Sequence, residues 1–175
     1  MIEEPPLLKI RRSFPRPDAA ALRALHHVPT GFVVDCMDGR GALDYRIKPL
    51  DQSSCRFSGT AITCHAGPAD NLAVFAAIES AQPGDVIIAA ADGFTGACVT
   101  GDLLLGMARN RGVAGFVTDG SGVGFEELGL PTKGLLQGVA SGMISSFTFV
   151  ESALPVEPPD VGVVVCELED FSIAN

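Results

Sequence analysis

The chain has 175 residues, 47% of them hydrophobic, and a formal net charge of −9. That length and composition suit one packed domain, and no apolar run is long enough to span a membrane. The acidic balance argues against a nucleic-acid partner, because phosphate binding needs a basic face, and favours basic partners or divalent cations.

The 20 glycines and 12 prolines are spread along the chain, which implies many tight turns rather than a disordered segment. The cysteines Cys36, Cys55, Cys64, Cys98 and Cys166 are odd in number and form no C-x-x-C pair. Buried structural thiols are expected rather than a zinc site or a disulfide framework. The opening MIEEPPLLKIRR lacks the order of a secretory signal, so the expectation is a cytoplasmic protein.

Residues 1–13 read as an extended arm. Asp18 then caps a short helix, DAAALRALHHV, with Leu22 and Leu25 on one face. A second short helix, GFVVDCMDG, follows Pro29-Thr30, and 40–50 reads as a loop. RFSGTAITCH (56–65) is rich in β-branched residues and predicts a strand. Asp70 caps the helix NLAVFAAIESA, and Pro83-Gly84 stops it. The continuous apolar run 86–91 predicts a strand covered on both faces. A loop is expected over 92–100, then a helix over 101–111 that ends at Gly112. Residues 113–118 form another buried strand in this reading. The resulting βαβαβ pattern implies a parallel or mixed sheet in an α/β fold. Beyond Pro131 the pattern weakens: 134–150 is apolar and rich in small residues, 155–160 is a break, and 161–166 is a strand candidate.

Three features could carry chemistry. Gly101-Asp102-Leu103-Leu104 puts backbone N–H groups at a helix start, where a carboxylate or phosphate oxygen can bind and where Gly101 permits close approach. The plainer reading is that Asp102 offsets its own helix dipole. Asp119-Gly120 ends a strand on the side where α/β proteins bind ligands, and equally makes an ordinary turn. Asp92 ends the preceding strand. If Asp92, Asp102 and Asp119 converge, they offer oxygen ligands to Mg²⁺ or Mn²⁺. His26, His27 and His65 have no partners at metal-ligand spacing and read as structural. No nucleophile elbow, Walker loop or dinucleotide fingerprint is present.

The segments FPRP (14–17), PT-x-x-V-x-D (29–35), RGALD (40–44), G-x-A-I-T (59–63), ADNLAVFAAIESAQPGDVI (69–87), GDLL (101–104), ARNRGVAGFVTDG (108–120) and EELGLP (126–131) resemble the RraA-like family in order and spacing. That family includes the regulator of ribonuclease activity A and the class II 4-hydroxy-4-methyl-2-oxoglutarate aldolases. The resemblance implies a three-layer β/β/α swivelling-domain fold with a mixed sheet, in one domain spanning 1–175. It further implies a homotrimer or hexamer, and a Mg²⁺- or Mn²⁺-dependent aldolase or oxaloacetate decarboxylase acting on a small 2-oxo acid.

By the same resemblance, Gly101–Leu104 holds the substrate carboxylate. The family's Arg and Asp after the DG turn, which hold substrate oxygen and the metal, fall on Val123 and Gly124. Neither supplies charge. The chain after Pro131 departs from the family pattern, so a divergent or truncated C-terminal part is expected. The alternatives are a non-catalytic acidic regulator that binds a basic protein such as a ribonuclease, and a degenerate paralogue that assembles with an intact one.

Overall fold

The structure is a computed structural model that describes residues 7–45, 47–49, 56–123, 135–138, 147–151 and 162–166. In chain order the elements are α1 (Ala19–Leu25), α2 (Thr30–Cys36), β1 (Ile47–Pro49), β2 (Phe57–His65), α3 (Leu72–Ser80), β3 (Val86–Ala90), β4 (Cys98–Gly101), α4 (Asp102–Asn110), β5 (Gly115–Thr118), β6 (Ser121–Val123), β7 (Leu135–Gly138), β8 (Phe147–Glu151) and β9 (Gly162–Cys166).

Among the described residues β1-β7-β5-β3-β2-β9-β8 form one seven-stranded sheet, and β4-β6 form a separate two-stranded one. The larger sheet is mixed. β2, β3, β5 and β7 pair in parallel, while β1 on β7, β9 on β2 and β8 on β9 are antiparallel. The predicted βαβαβ order and the strand over 161–166 are therefore present, and the chain is an α/β protein with a mixed sheet.

The apolar run of β3 divides between the sheet's two faces, as period-2 geometry demands. Ile87 and Ala89 join Val74, Ala77 and Ile78 of α3 and Leu104 and Ala108 of α4. Val86 and Ile88 face the other way, with Ile47, Phe57, Ala61 and Val117. Both crossover helices thus pack on one face of the sheet. Val74, Val86 and Ile87 are wholly buried, and each such side chain contributes about 1.5–3 kcal/mol relative to exposure. α4 stops at Gly112, whose φ of +78° suits glycine and whose N–H bonds to the Arg109 carbonyl.

Several expectations are corrected. Residues 47–49, read as loop, form β1, because the main chain there pairs with β7 nearly ninety positions away. Residues 98–101, also read as loop or helix start, form β4, again through a distant partner, β6. Asp18 occupies the α1 N-cap without a side-chain bond; only its carbonyl accepts, from Leu22 N–H. The α3 N-cap is Asn71 rather than Asp70. Asp70 acts from one position earlier, its Oδ1 accepting from Asn71 N–H at 2.6 Å and Leu72 N–H at 3.0 Å. Cys36 and Cys98 are exposed rather than buried, because each lies at the end of an element. Cys64 is partly buried, and burial pushes its thiol pKa up to about 11. Cys55 lies outside the described residues.

The arm is anchored where it meets the sheet. Arg16 Nη1 and Nη2 donate to the two carboxylate oxygens of Asp85 at 2.6 and 2.9 Å, and the guanidinium lies 5.1 Å over the Phe14 ring. The Asp85 side chain is 3% exposed and also accepts from Gln82 N–H at 2.7 Å. Phe14 and Arg16 belong to the FPRP segment, so a stretch that carried the family resemblance proves to be a structural clamp. His26 is structural too: its Nδ1 lies 2.8 Å from Ser58 Oγ and ties the end of α1 to β2.

Candidate functional site

α4 begins without a side-chain cap. Its N-cap is Gly101, in extended backbone with φ −161° and ψ −174°. Asp102 is the acidic residue of the first turn, and Leu103 is 81% exposed. The first amides of a helix have no intrahelical partners and carry partial positive charge, so an anion can dock there. Just before them, Thr100 is 5% exposed, and its Oγ1 has no hydrogen-bond partner. A buried hydroxyl in that state costs free energy that an incoming acceptor can recover.

The β4–β6 ladder brings the second predicted segment to this point. Gly101 is the register partner of Val123, and Thr100 that of Gly122. The position where the resemblance expects an arginine therefore lies beside the helix start, and valine occupies it. Gly124 lies outside the described residues and has no side chain to offer.

The three aspartates have separate roles. Asp119 Oδ1 accepts from Ala91 N–H at 2.6 Å, and Oδ2 accepts from Gly93 N–H at 2.8 Å. Its carboxylate thus staples the turn after β3 to the turn after β5. The same turn puts Asp92 at φ +56°, a left-handed conformation that aspartate tolerates better than most residues. Asp92 Oδ1 lies 2.9 Å from His65 Nε2, at the exposed end of β2. Gly120 closes the turn, its N–H donating to Thr118 Oγ1 at 3.0 Å. Asp102 remains at the helix start.

The expected convergence of Asp92, Asp102 and Asp119 is not formed. Among the described residues no group of three or more His, Cys, Asp or Glu side chains is placed to hold a metal ion. With Asp119 bonded to two main-chain amides and Asp92 beside His65, the carboxylates among the described residues do not form a cation site. Sequence reasoning missed both contacts, because His65–Asp92 and Asp119–Ala91 join elements 27 and 28 positions apart. The strand ends at which these residues lie were the available signal.

A groove of about 650 Å³ lies elsewhere, between the arm, β2 and α3. It is lined by Leu8, Arg11, Cys64 and Ala73 among others, and Gly101–Leu104 do not line it.

A sequence model of the RraA-like family, described as Aldolase/RraA, matches residues 30–124. A Halalkalibacterium halodurans protein named "Putative 4-hydroxy-4-methyl-2-oxoglutarate aldolase" is 43% identical over 94 residues, which cover 54% of this chain and 44% of that protein. The chain thus spans less than half the length of this relative. Among solved structures, Streptomyces coelicolor RraAS2, described as an unusual member of the RNase ES inhibitor RraA family, is 28% identical with a TM-score of 0.60. That match covers 72% of this chain and 65% of RraAS2. The Thermus RNA-processing inhibitor RraA shares the fold at 22% identity and a TM-score of 0.58, covering 79% of this chain and 92% of its own. With its family match running over more than half its length and through the α4 start, the chain belongs to the RraA-like family.

Proposed function

We propose that this chain binds a small 2-oxo acid at the start of α4 and acts on it as an aldolase-type or oxaloacetate-decarboxylating lyase. The observation that carries the reading is the uncapped helix start at Gly101–Leu104, beside a buried Thr100 hydroxyl that lacks a partner. The 43% identity to a relative named as an aldolase supports the reaction class. In this reading the α4 amides take the substrate carboxylate, and Gly101 lets it come close to the main chain. Asp119 acts at a distance, holding the turns on which β6 and the site rest.

The chain's own residues do the binding and orienting. Val123 contributes no charged donor, and that absence lowers turnover by a factor on the order of 100 relative to a site with one. A divalent cation would supply Lewis-acid stabilisation of the enolate left by C–C cleavage. Among the described residues no donor set fits one, and no step is assigned to it. The same facts favour a second reading, a binding protein without turnover whose acidic surface, at net charge −9, suits a basic protein segment. A cytoplasmic setting and assembly into homo-oligomers belong to both readings.

The test is oxaloacetate decarboxylation by the purified chain with Mg²⁺, Mn²⁺ or EDTA, alongside calorimetric binding of oxaloacetate. The expected result is oxaloacetate binding with turnover that is slow but above the uncatalysed rate, in EDTA as well as with metal. Gain of activity in the Val123→Arg, Gly124→Asp double variant would show a site that lacks only its charged pair. Absence of both binding and turnover sinks the proposal.

A further inference from the structure

The groove between the arm, β2 and α3 carries polar groups that the α4 site leaves unused. His65, the last residue of β2, lines it. The ring's Nε2 lies 2.9 Å from Asp92 Oδ1, and Asp92 does not line the groove. An ionised carboxylate only accepts hydrogen bonds, so in the neutral ring Nε2 carries the proton and Nδ1 keeps its lone pair. Nδ1 has no hydrogen-bond partner among the described residues. The groove is therefore bordered by an acceptor that a carboxylate holds in one tautomer.

Asp92 is itself fixed. It sits at φ +56°, and the amides on either side of it, Ala91 and Gly93, both donate to Asp119. Held at both flanks, the turn keeps the Asp92 carboxylate beside the end of β2, where Ala90 is the register partner of His65. A ring oriented by a group that is fixed in its turn is the arrangement of a binding histidine.

The rest of the lining is of two kinds. Lys9 of the arm is exposed and makes no ion pair among the described residues, in a chain whose net charge is −9. Arg11 adds a second basic side chain. The one carboxylate on the lining, Asp70, is engaged by the Asn71 and Leu72 amides. Leu8 and Phe14 of the arm, with Ala73 and Ala76 of α3, supply apolar surface.

We propose that this groove binds a medium-chain 2-hydroxy acid. The carboxylate pairs with Lys9, the 2-hydroxyl donates to His65 Nδ1, and the chain lies on the apolar lining. A plain carboxylate would offer Nδ1 nothing but lone pairs; the adjacent hydroxyl supplies the donor. A volume of about 650 Å³ is in the range of small-molecule sites. Gly101–Leu104 do not line the groove, so this site is separate from the one at the start of α4.

Calorimetry of the full chain with 2-hydroxyoctanoate, 2-methoxyoctanoate and octanoate tests this. The hydroxy acid is expected to bind about tenfold more tightly than either analogue, because neither can donate to Nδ1. His65→Phe should abolish that preference, and Lys9→Glu should weaken 2-hydroxyoctanoate about tenfold or more. Both positions are exposed, and thermal melting checks that each variant folds. Oxaloacetate should not compete. Nitrogen NMR of the imidazole at a pH where it is neutral should find the proton on Nε2. The proposal is overturned if 2-hydroxyoctanoate does not bind, if the three acids bind alike, or if either substitution leaves its affinity unchanged. Competition by oxaloacetate, or a ring protonated on Nδ1, overturns it too.

Discussion

Replacing Arg16 with alanine removes the guanidinium from a carboxylate that cannot reach bulk water. The Asp85 side chain is 3% exposed, and two of the hydrogen bonds it accepts, at 2.6 and 2.9 Å, come from Arg16. Breaking a buried pair from one side costs about 3–5 kcal/mol, because the charge left behind has lost its partner. Two features hold the value near the lower end. Gln82 N–H still donates to Asp85 at 2.7 Å, and Arg16 is itself 27% exposed, so water can enter where it stood.

Loss of the contact with Phe14 adds about 0.5–1 kcal/mol. The expected total is about 3.5–4 kcal/mol, which for a chain of this size lowers the melting temperature by about 7–16 °C. Urea unfolding followed by circular dichroism measures it, with m unchanged if only stability has moved. Asp85→Asn should cost less, since it leaves the partly exposed arginine free to hydrate. A loss below about 1 kcal/mol, the range of surface ion pairs, would refute the reasoning and show that the arm is not part of the folded core.

Other perturbations follow from the same geometry. Asp119→Ala orphans the Ala91 and Gly93 amides and should cost about 2 kcal/mol in urea unfolding, mostly from the part-buried Ala91 side; an unchanged midpoint would restore Asp119 to the list of free carboxylates. Gly59→Ala drives a methyl group into the Gly84 carbonyl oxygen and within 3.1 Å of Val86 Cγ2, so a loss of about 1–3 kcal/mol is expected by thermal melting. For Cys64, whose thiol is pushed up from 9.0 to about 11, alkylation at mildly alkaline pH should lag well behind exposed Cys36 and Cys98, as mass mapping of the modified thiols would record. The sign for stability follows: between about pH 9 and 11 the unfolded chain releases the Cys64 proton while the folded one retains it, so stability falls as pH rises through that window.

The parts that were legible in the sequence are those whose signal is local. β2, α3, β3, α4 and β5 announce themselves through runs of β-branched residues, 3.6-residue spacing and the stops at Pro83-Gly84 and Gly112. Of the candidate site, only the helix start at Gly101–Leu104 could be named from the sequence. The roles of Asp119 and Asp92 were not, because an aspartate closing a turn and an aspartate holding a ligand look alike until the distant N–H groups and the His65 ring are placed around them.

By itself, then, the order of residues determined an α/β chain with its crossover helices in sequence and a helix start suited to an anion; that Val123 and Gly124 stand where a charged pair is expected came only from the resemblance to the family. The tertiary structure decided the rest. It turned two apparent loops into β1 and β4, since main-chain pairing at an edge depends on a partner far along the chain rather than on side-chain pattern. It set Gly101 beside Val123, placing that position at the helix start. It also committed Asp119 to the main chain, because a carboxylate's role is set by which donors surround it, and that is a property of three dimensions.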